Sequence, residues 1–476
     1  MLEDRPQAPE ISTKLPPRPQ MPRFLRTLKL IFRPIDYLDD YGKRYGDFFS
    51  VGNDENPFVY VSNPQAIQEI FTIDAYQFDT AMRGGILYLL LGANSLLALD
   101  GTRHQRERRL LMPPFHGDRI RTYNQLICEI TQQVTAAWQV GKPFKVRSFM
   151  QEITLSVILK AVFGLQEGER LRQLRQLLSS MMDSIGSPAS ATMIFFPILQ
   201  KDWGEWSPWG RFLRQKAEVD RLLYEEIRDR RTQNRFDGDD ILTLLMSARD
   251  EDGQPMTDQE LRDELMTLLV AGHETTASAL SWALYWIHSL PQVREKLLLE
   301  LANLPDKTDL NAISRLPYLT AVCQETLRIY PIAVFVVPRV LKEPLTIMGY
   351  HFKAGTVLAP CIYLTHHRED LYPEPKQFKP ERFLERQFSP YEYFPFGGSN
   401  RRCIGMALAM MEMKVVLATI LSRFDLALTD NRPLKPVRRG LTVAAPGSLR
   451  MVAIAEVESL FEGRRNQSGV QNFHNS

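Results

Sequence analysis

The stretch "FPFGGSNRRCIGMALAMME", Phe394–Glu412, joins two unlike halves. A glycine-rich, doubly basic turn ends at Cys403, and a Met- and Ala-rich pattern with helical spacing follows. A cysteine delivered to the start of a helix meets free backbone amides and the positive end of the helix dipole, which favour an anion. A thiol so placed tends to ionise, and the thiolate is a nucleophile or a metal ligand. Gly397, Gly398 and Gly405 remove side chains where a flat, bulky group would approach the backbone. Arg401 and Arg402 add cationic donors suited to carboxylates. A thiolate, room for a plane and arginines for acidic groups together suggest haem, which carries two propionates.

The bulk numbers agree with a large globular protein. The chain has 476 residues, 44% of them hydrophobic, enough for an extensive core. A net charge of +2 gives no general attraction for nucleic acid, so any basic patch is local. The four cysteines, Cys128, Cys323, Cys361 and Cys403, include no CxxC pair, which argues against structural zinc or a thioredoxin-like site. So few cysteines in so long a chain fit a reducing, cytoplasmic compartment. Residues 1–22 are rich in proline and charge and lack an apolar run of signal-peptide length. Nowhere does the chain supply roughly 18–20 uninterrupted apolar residues, so membrane contact is expected to be peripheral at most.

Residues 23–460 read as one mostly α-helical domain with small β-sheets, followed by a polar tail, 461–476, expected to be disordered. One or two short helices precede a β-hairpin over Asp47–Ser62, where "DFFSVG" and "PFVYVS" flank a turn. From Pro64 to about Leu290 apolar residues recur at three- and four-residue intervals, an overwhelmingly helical pattern. The longest, Asp258–Leu290, would extend roughly 50 Å. Strands are predicted around Leu345–Met348 and Thr356–Ala359, with a last hairpin pairing "GLTVAA" with "MVAIAE".

The segment "FGGSNRRCIG" resembles the haem-binding signature of the cytochrome P450 superfamily, with Arg two residues before the cysteine and Gly two after it. Ser399 departs from it, standing where a further glycine is usual. The resemblance implies the single-domain P450 fold, a triangular helical prism holding heme b between the long central helix and the cysteine loop. Cys403 would ligate iron, with Phe396 and Gly405 beside the haem and Arg401 on a propionate. "ETLR" at Glu325–Arg328 and "FKPERF" at Phe378–Phe383 resemble two further family segments. They imply a structural triad of Glu325, Arg328 and Arg382 that braces the cysteine loop. "AGHETT", Ala271–Thr276, resembles the oxygen-activation motif, in which the helix opens locally above the haem. There the Thr275 hydroxyl would serve dioxygen activation and Glu274 would relay protons. In "DGTRHQRERR" His104 and Arg108 lie one turn apart on a helical face. The resemblance puts both on propionates, joined by Arg339. Arg103, Arg106, Arg109 and Arg402 would then form a basic cysteine-side surface for an acidic ferredoxin or flavodoxin.

By position in the resembled family, Leu87, Ala271, Ile332, Ala333, Val334, Phe335, Leu441 and Thr442 line the substrate pocket. Their apolar character favours a fatty acid, a terpene or a similar lipophilic molecule, with Arg83 a candidate carboxylate anchor. The tryptophan-rich run Thr192–Gly210 is expected to be a lid that can touch membrane. The implied activity is a monooxygenase using dioxygen, receiving electrons from NAD(P)H only through a ferredoxin or flavodoxin with its reductase. A monomer is expected. The alternatives are a peroxide-dependent or rearranging haem-thiolate enzyme and a non-catalytic haem-binding sensor.

Overall fold

A capping box starts the longest helix: Thr257 Oγ1 accepts from Glu260 N at 3.2 Å, and Glu260 returns a carboxylate to Thr257 N at 2.8 Å. The helix runs Asp258–Ser289, and Pro291 opens the next one. It is buried almost all round, as a helix threading a core must be. Against it pack the helices Val146–Phe163 and Met406–Arg423, the second being the one that follows Cys403. In this computed structural model the described residues are 15–456, without 53–54, 83–84, 165–167, 187, 235–237 and 307–308. The 461–476 tail and Arg83 lie outside them.

The predicted N-terminal hairpin forms. Phe48–Gly52 pairs antiparallel with Pro57–Val61, Phe48 opposite Val61. Its second strand then pairs in parallel with Val357–Pro360, and the sheet continues through Arg339–Leu341 to Phe78–Thr80. This sheet ties the first sixty or so residues to the segment after "ETLR", which no local pattern foretells.

The run from Pro64 to Leu290 is overwhelmingly helical, with two short strands in it, Phe78–Thr80 and Pro143–Lys145, each too short to show a period of two. One expectation is corrected: the last hairpin is differently partnered. Thr442–Ala444 pairs with Val437–Arg439, whereas Arg450–Glu456 pairs with Phe424–Leu428 and Pro143–Lys145. A turn closed by Leu449 N donating to Pro446 O at 3.0 Å carries the chain from one sheet to the other. Alternation identifies a strand but not its partner.

Candidate haem and substrate site

The turn before Cys403 is built from backbone conformations that restrict its sequence. Gly397 has φ +70° and Ser399 φ +60°. Ser399 thus holds the left-handed conformation that glycine adopts without steric cost, which explains why the resembled signature has glycine there. Gly398 is needed for a different reason: a Cβ on it would meet the Phe71 ring at 2.1 Å. Cys403 N donates to Phe396 O at 2.9 Å, and Phe394 N to His366 Nε2 at 3.1 Å. Gly405 occupies the N-cap of the following helix. Cys403 is the one exposed cysteine of the four.

The expected depression of the Cys403 pKa is not found for the bare chain. Loss of hydration to the surrounding loop pushes the thiol up, against the opposing pull of the Gly405 backbone N–H, Arg108 and Arg402. The helix start moderates the thiol without ionising it. A metal ion, when it coordinates a thiol, removes the proton outright.

Behind the loop, Glu325 and Arg328 are fully buried and doubly bonded, Nε to Oε2 at 2.6 Å and Nη2 to Oε1 at 2.8 Å. Arg382 Nε reaches Glu325 Oε1 at 3.4 Å, so the three residues of the implied triad do meet. Lys379 N adds a fourth donor at 2.8 Å. Arg328 Nη1 donates to His366 O at 2.8 Å, and His366 in turn receives Phe394 N. This relay from the triad to the cysteine loop runs through His366, which sequence reading missed. Burial holds that imidazole neutral, so its Nε2 can accept.

On the side of the helix Gly101–Leu111, His104 is buried and its pKa falls to about 3, by burial first and then by Arg401 and Arg108. Arg108 donates to Arg402 O at 2.8 Å. Arg339 donates to Ile70 O at 2.8 Å and lies between the Phe71 and Phe78 rings. Arg401 pairs with Asp100 and reaches Leu96 O at 3.3 Å. Asp100 therefore answers Arg401, but no carboxylate answers Arg108 or Arg339 among the described residues. The surrounding basic face is smaller than expected. Arg106 is bound by Glu107, Asp250 and Glu260, and Arg109 by Glu251, leaving Arg103 and Arg402 without a salt bridge among the described residues.

The long helix stays helical through Ala271–Thr276, with no break in its assignment. Thr275 Oγ1 donates to Ala271 O at 2.6 Å. Between Leu261 and Ile287 only Ala271 is exposed, flanked by half-buried Val270, Gly272, Glu274 and Thr275. The Glu274 carboxylate is engaged by Arg147, by Arg439 Nε at 2.7 Å and by Gln151 Nε2 at 3.1 Å. These three partners come from remote parts of the chain, so nothing in the sequence around "AGHETT" signals them.

Among the expected pocket residues, Leu87, Ala333 and Thr442 are half-buried and Leu441 is exposed, while Ile332 is buried. Phe335 packs edge-on against Phe58 and Tyr60. Val334 belongs instead to the buried cluster around Tyr37 and Tyr60, where its carbonyl accepts from Tyr363 N. In the lid region Trp203 and Trp206 are 70% and 93% exposed, whereas Trp209 is buried.

The donor set fits a haem. An open sulfur sits at the helix start, and Arg108 and Arg339 lack the anions that two propionates would supply. Comparison with known proteins agrees. The family model for cytochrome P450 matches residues 15–451. The Mycobacterium tuberculosis protein named cytochrome P450 135B1 is 38% identical over 427 residues, 89% of this chain and 88% of its own length. A second from that organism, named cytochrome P450 135A1, is 33% identical over 441 residues, 91% and 94% of the two chains. Among solved structures, retinoic acid-bound cyanobacterial CYP120A1 aligns with TM-score 0.81 and 25% identity, covering 94% of this chain and all of its own. The haem domain of cytochrome P450DA has the same fold at TM-score 0.81. The chain belongs to the cytochrome P450 family, the haem-thiolate monooxygenases. Among the described residues no helix is long and apolar enough to cross a membrane.

Proposed function

We propose that this cytochrome P450 hydroxylates or epoxidises a lipophilic molecule such as a fatty acid or terpene. Its electrons come from NAD(P)H through a separate ferredoxin or flavodoxin and its reductase. The observation that carries the reading is the exposed Cys403 together with the one exposed position between Leu261 and Ile287 of the long helix, at Ala271. Haem held by a cysteine thiolate supplies dioxygen activation, the sulfur donating electron density. Cys403 is the ligand, and His104, Arg108, Arg339 and Arg401 hold the propionates. Phe396 and Gly405 shape the loop, and Glu325, Arg328 and Arg382 brace it through His366.

Thr275 lies next to the exposed helix stretch, where its hydroxyl can exchange the Ala271 carbonyl for a polar partner. Glu274 moves a proton inward only after releasing Arg147 or Arg439, so these arginines gate it. Leu87, Ala333, Phe335 and Leu441 offer apolar surface that holds substrate by desolvation. The CYP120A1 structure holds retinoic acid, a lipophilic carboxylic acid, which favours the same class here. Arg103 and Arg402 remain for the redox partner. Exposed Trp203, Trp206 and Ile198 form an apolar edge suited to peripheral membrane contact.

The test is the spectrum of purified, haem-loaded protein, followed by titration of the ferric form with fatty acids and terpenes. The red-shifted reduced carbon monoxide band of a thiolate ligand and a low-to-high-spin shift with a lipophilic compound are expected. Absence of that band, or its survival in Cys403→Ser, overturns the reading.

A further inference from the structure

Arginines buried in a protein interior are normally answered by carboxylates, because an unpaired charge loses its hydration without compensation. This fold follows that rule in most places. Buried Arg147 meets Glu274, Arg230 meets Glu226 and Asp240, Arg262 meets Asp220 and Asp263, and Arg328 meets Glu325. Besides Arg339 at the haem site, two arginines break it, where the helix Arg23–Phe32, the helix Pro188–Phe195 and the strand Val437–Arg439 come together.

Arg438 is 3% exposed. Its Nε donates to Leu30 O at 3.0 Å and its Nη1 to Gly440 O at 3.5 Å, and its guanidinium lies over the Phe195 ring at 5.4 Å. Its Nη2 is buried with no acceptor. Arg26, one turn before Leu30 on the same helix, is 8% exposed and has no ion pair or side-chain hydrogen bond among the described residues. The phenols of Tyr37, Tyr41 and Tyr60 lie within electrostatic reach of Arg26, and burial pushes all three up, so they stay neutral. Burial also lowers the Arg438 pKa, to about 10, which leaves the group cationic at neutral pH. Among the described residues neither buried cation forms an ion pair with a protein carboxylate, since Asp40, which acts with Arg26 on Tyr41, is bound by Lys29.

That neighbourhood adjoins substrate-facing surface. Tyr60 packs against Phe335 at 6.2 Å between ring centroids, and the chain leaving Arg438 turns directly into Leu441 and Thr442. We propose that Arg438, with Arg26 beside it, holds the carboxylate of an amphipathic long-chain acid whose apolar body runs past Phe335 and Leu441 toward Cys403. The planar fork of Arg438 suits a carboxylate, and the unused Nη2 supplies the free donor. The inference rests on the monooxygenase reading and adds the head-group chemistry of the substrate. It assigns the role earlier given to Arg83 to a different residue.

The test uses haem-loaded protein, titrated calorimetrically and by ferric spin state with palmitate, 1-hexadecanol and hexadecyl phosphate. Palmitate is expected to bind at least about tenfold more tightly than the alcohol, the scale of one charge-assisted contact. Arg438→Met should remove that preference while leaving alcohol affinity within about threefold, and Arg438→Lys should keep most of it. Because the guanidinium has no protein carboxylate to lose, ligand-free Arg438→Met loses only its two carbonyl contacts and should melt within a few degrees of the parent.

Equal affinity for acid and alcohol overturns the proposal, as does a variant that weakens both alike or melts markedly lower. Tighter binding of the phosphate than of palmitate overturns the carboxylate assignment. Should Arg438→Met not fold, Arg26→Met and the ligand comparison on the parent enzyme decide. A protein without the thiolate–haem spectrum fails the earlier reading, whereas one with that spectrum and no acid preference fails only this one.

Discussion

Replacing Glu325 with glutamine keeps the shape of the side chain and removes its charge. Four donors converge on that carboxylate: Arg328 Nε and Nη2, Arg382 Nε and Lys379 N. Neither Glu325 nor Arg328 has any solvent exposure. A glutamine offers one acceptor oxygen, and its amide hydrogens would face a guanidinium. Summing four charged hydrogen bonds at ~1.5–3 kcal/mol each would overshoot, because the bonds share one acceptor group. The better estimate is the cost of stranding a buried charge, about 3–5 kcal/mol, softened here because Arg328 keeps His366 O and Gln377 O. Set against a total stability of about 5–15 kcal/mol, that is a large fraction. For a domain of this size it corresponds to a fall of roughly 3–5 °C in melting temperature.

The assay is thermal unfolding of haem-loaded protein, read by far-ultraviolet circular dichroism and by the Soret band. The double variant Glu325→Met with Arg328→Met sharpens it, since removing both partners leaves no stranded charge and should melt above the single variant. A single variant costing less than about 1 kcal/mol would refute the argument. So would a double variant that melts below the single one.

Three further outcomes follow from the same geometry. Ser399→Gly should raise stability by at most about 1 kcal/mol, the relief of a left-handed serine offset by a more flexible unfolded chain, with the Soret spectrum unmoved; a large spectral shift would show the turn misread. Burial alone pushes Glu412 up to about 8 from 4.5, so its contribution to stability is full below pH 4.5 and is lost as pH rises toward 8. Glu412→Gln should flatten that decline in stability, by an amount of order a few kcal/mol at pH 8, and an unchanged pH dependence of the unfolding free energy would contradict it. Reversing Arg103 and Arg402 to glutamate should slow reduction by an acidic ferredoxin and weaken its dependence on salt, measured by stopped-flow; an unchanged rate and salt slope would place the docking face elsewhere.

The amino-acid sequence by itself determined the class of this protein. Cys403 in its glycine turn, the Glu325–Arg328 pair, the "AGHETT" segment and the His104–Arg108 spacing are local patterns, and local patterns survive without coordinates. The long helix was legible because apolar spacing at three and four residues is a local property of the chain. Only the tertiary structure decided which strand Thr442–Ala444 pairs with, since alternation carries no partner label. It alone showed Arg106 and Arg109 neutralised by acids from distant segments, Glu274 held by Arg147 and Arg439, and His366 joining the triad to the cysteine loop. It alone showed Arg26 and Arg438 buried without an ion pair among the described residues. Charge balance in an interior depends on which side chains meet after folding, and that meeting is set by packing over hundreds of residues rather than by neighbours in the chain.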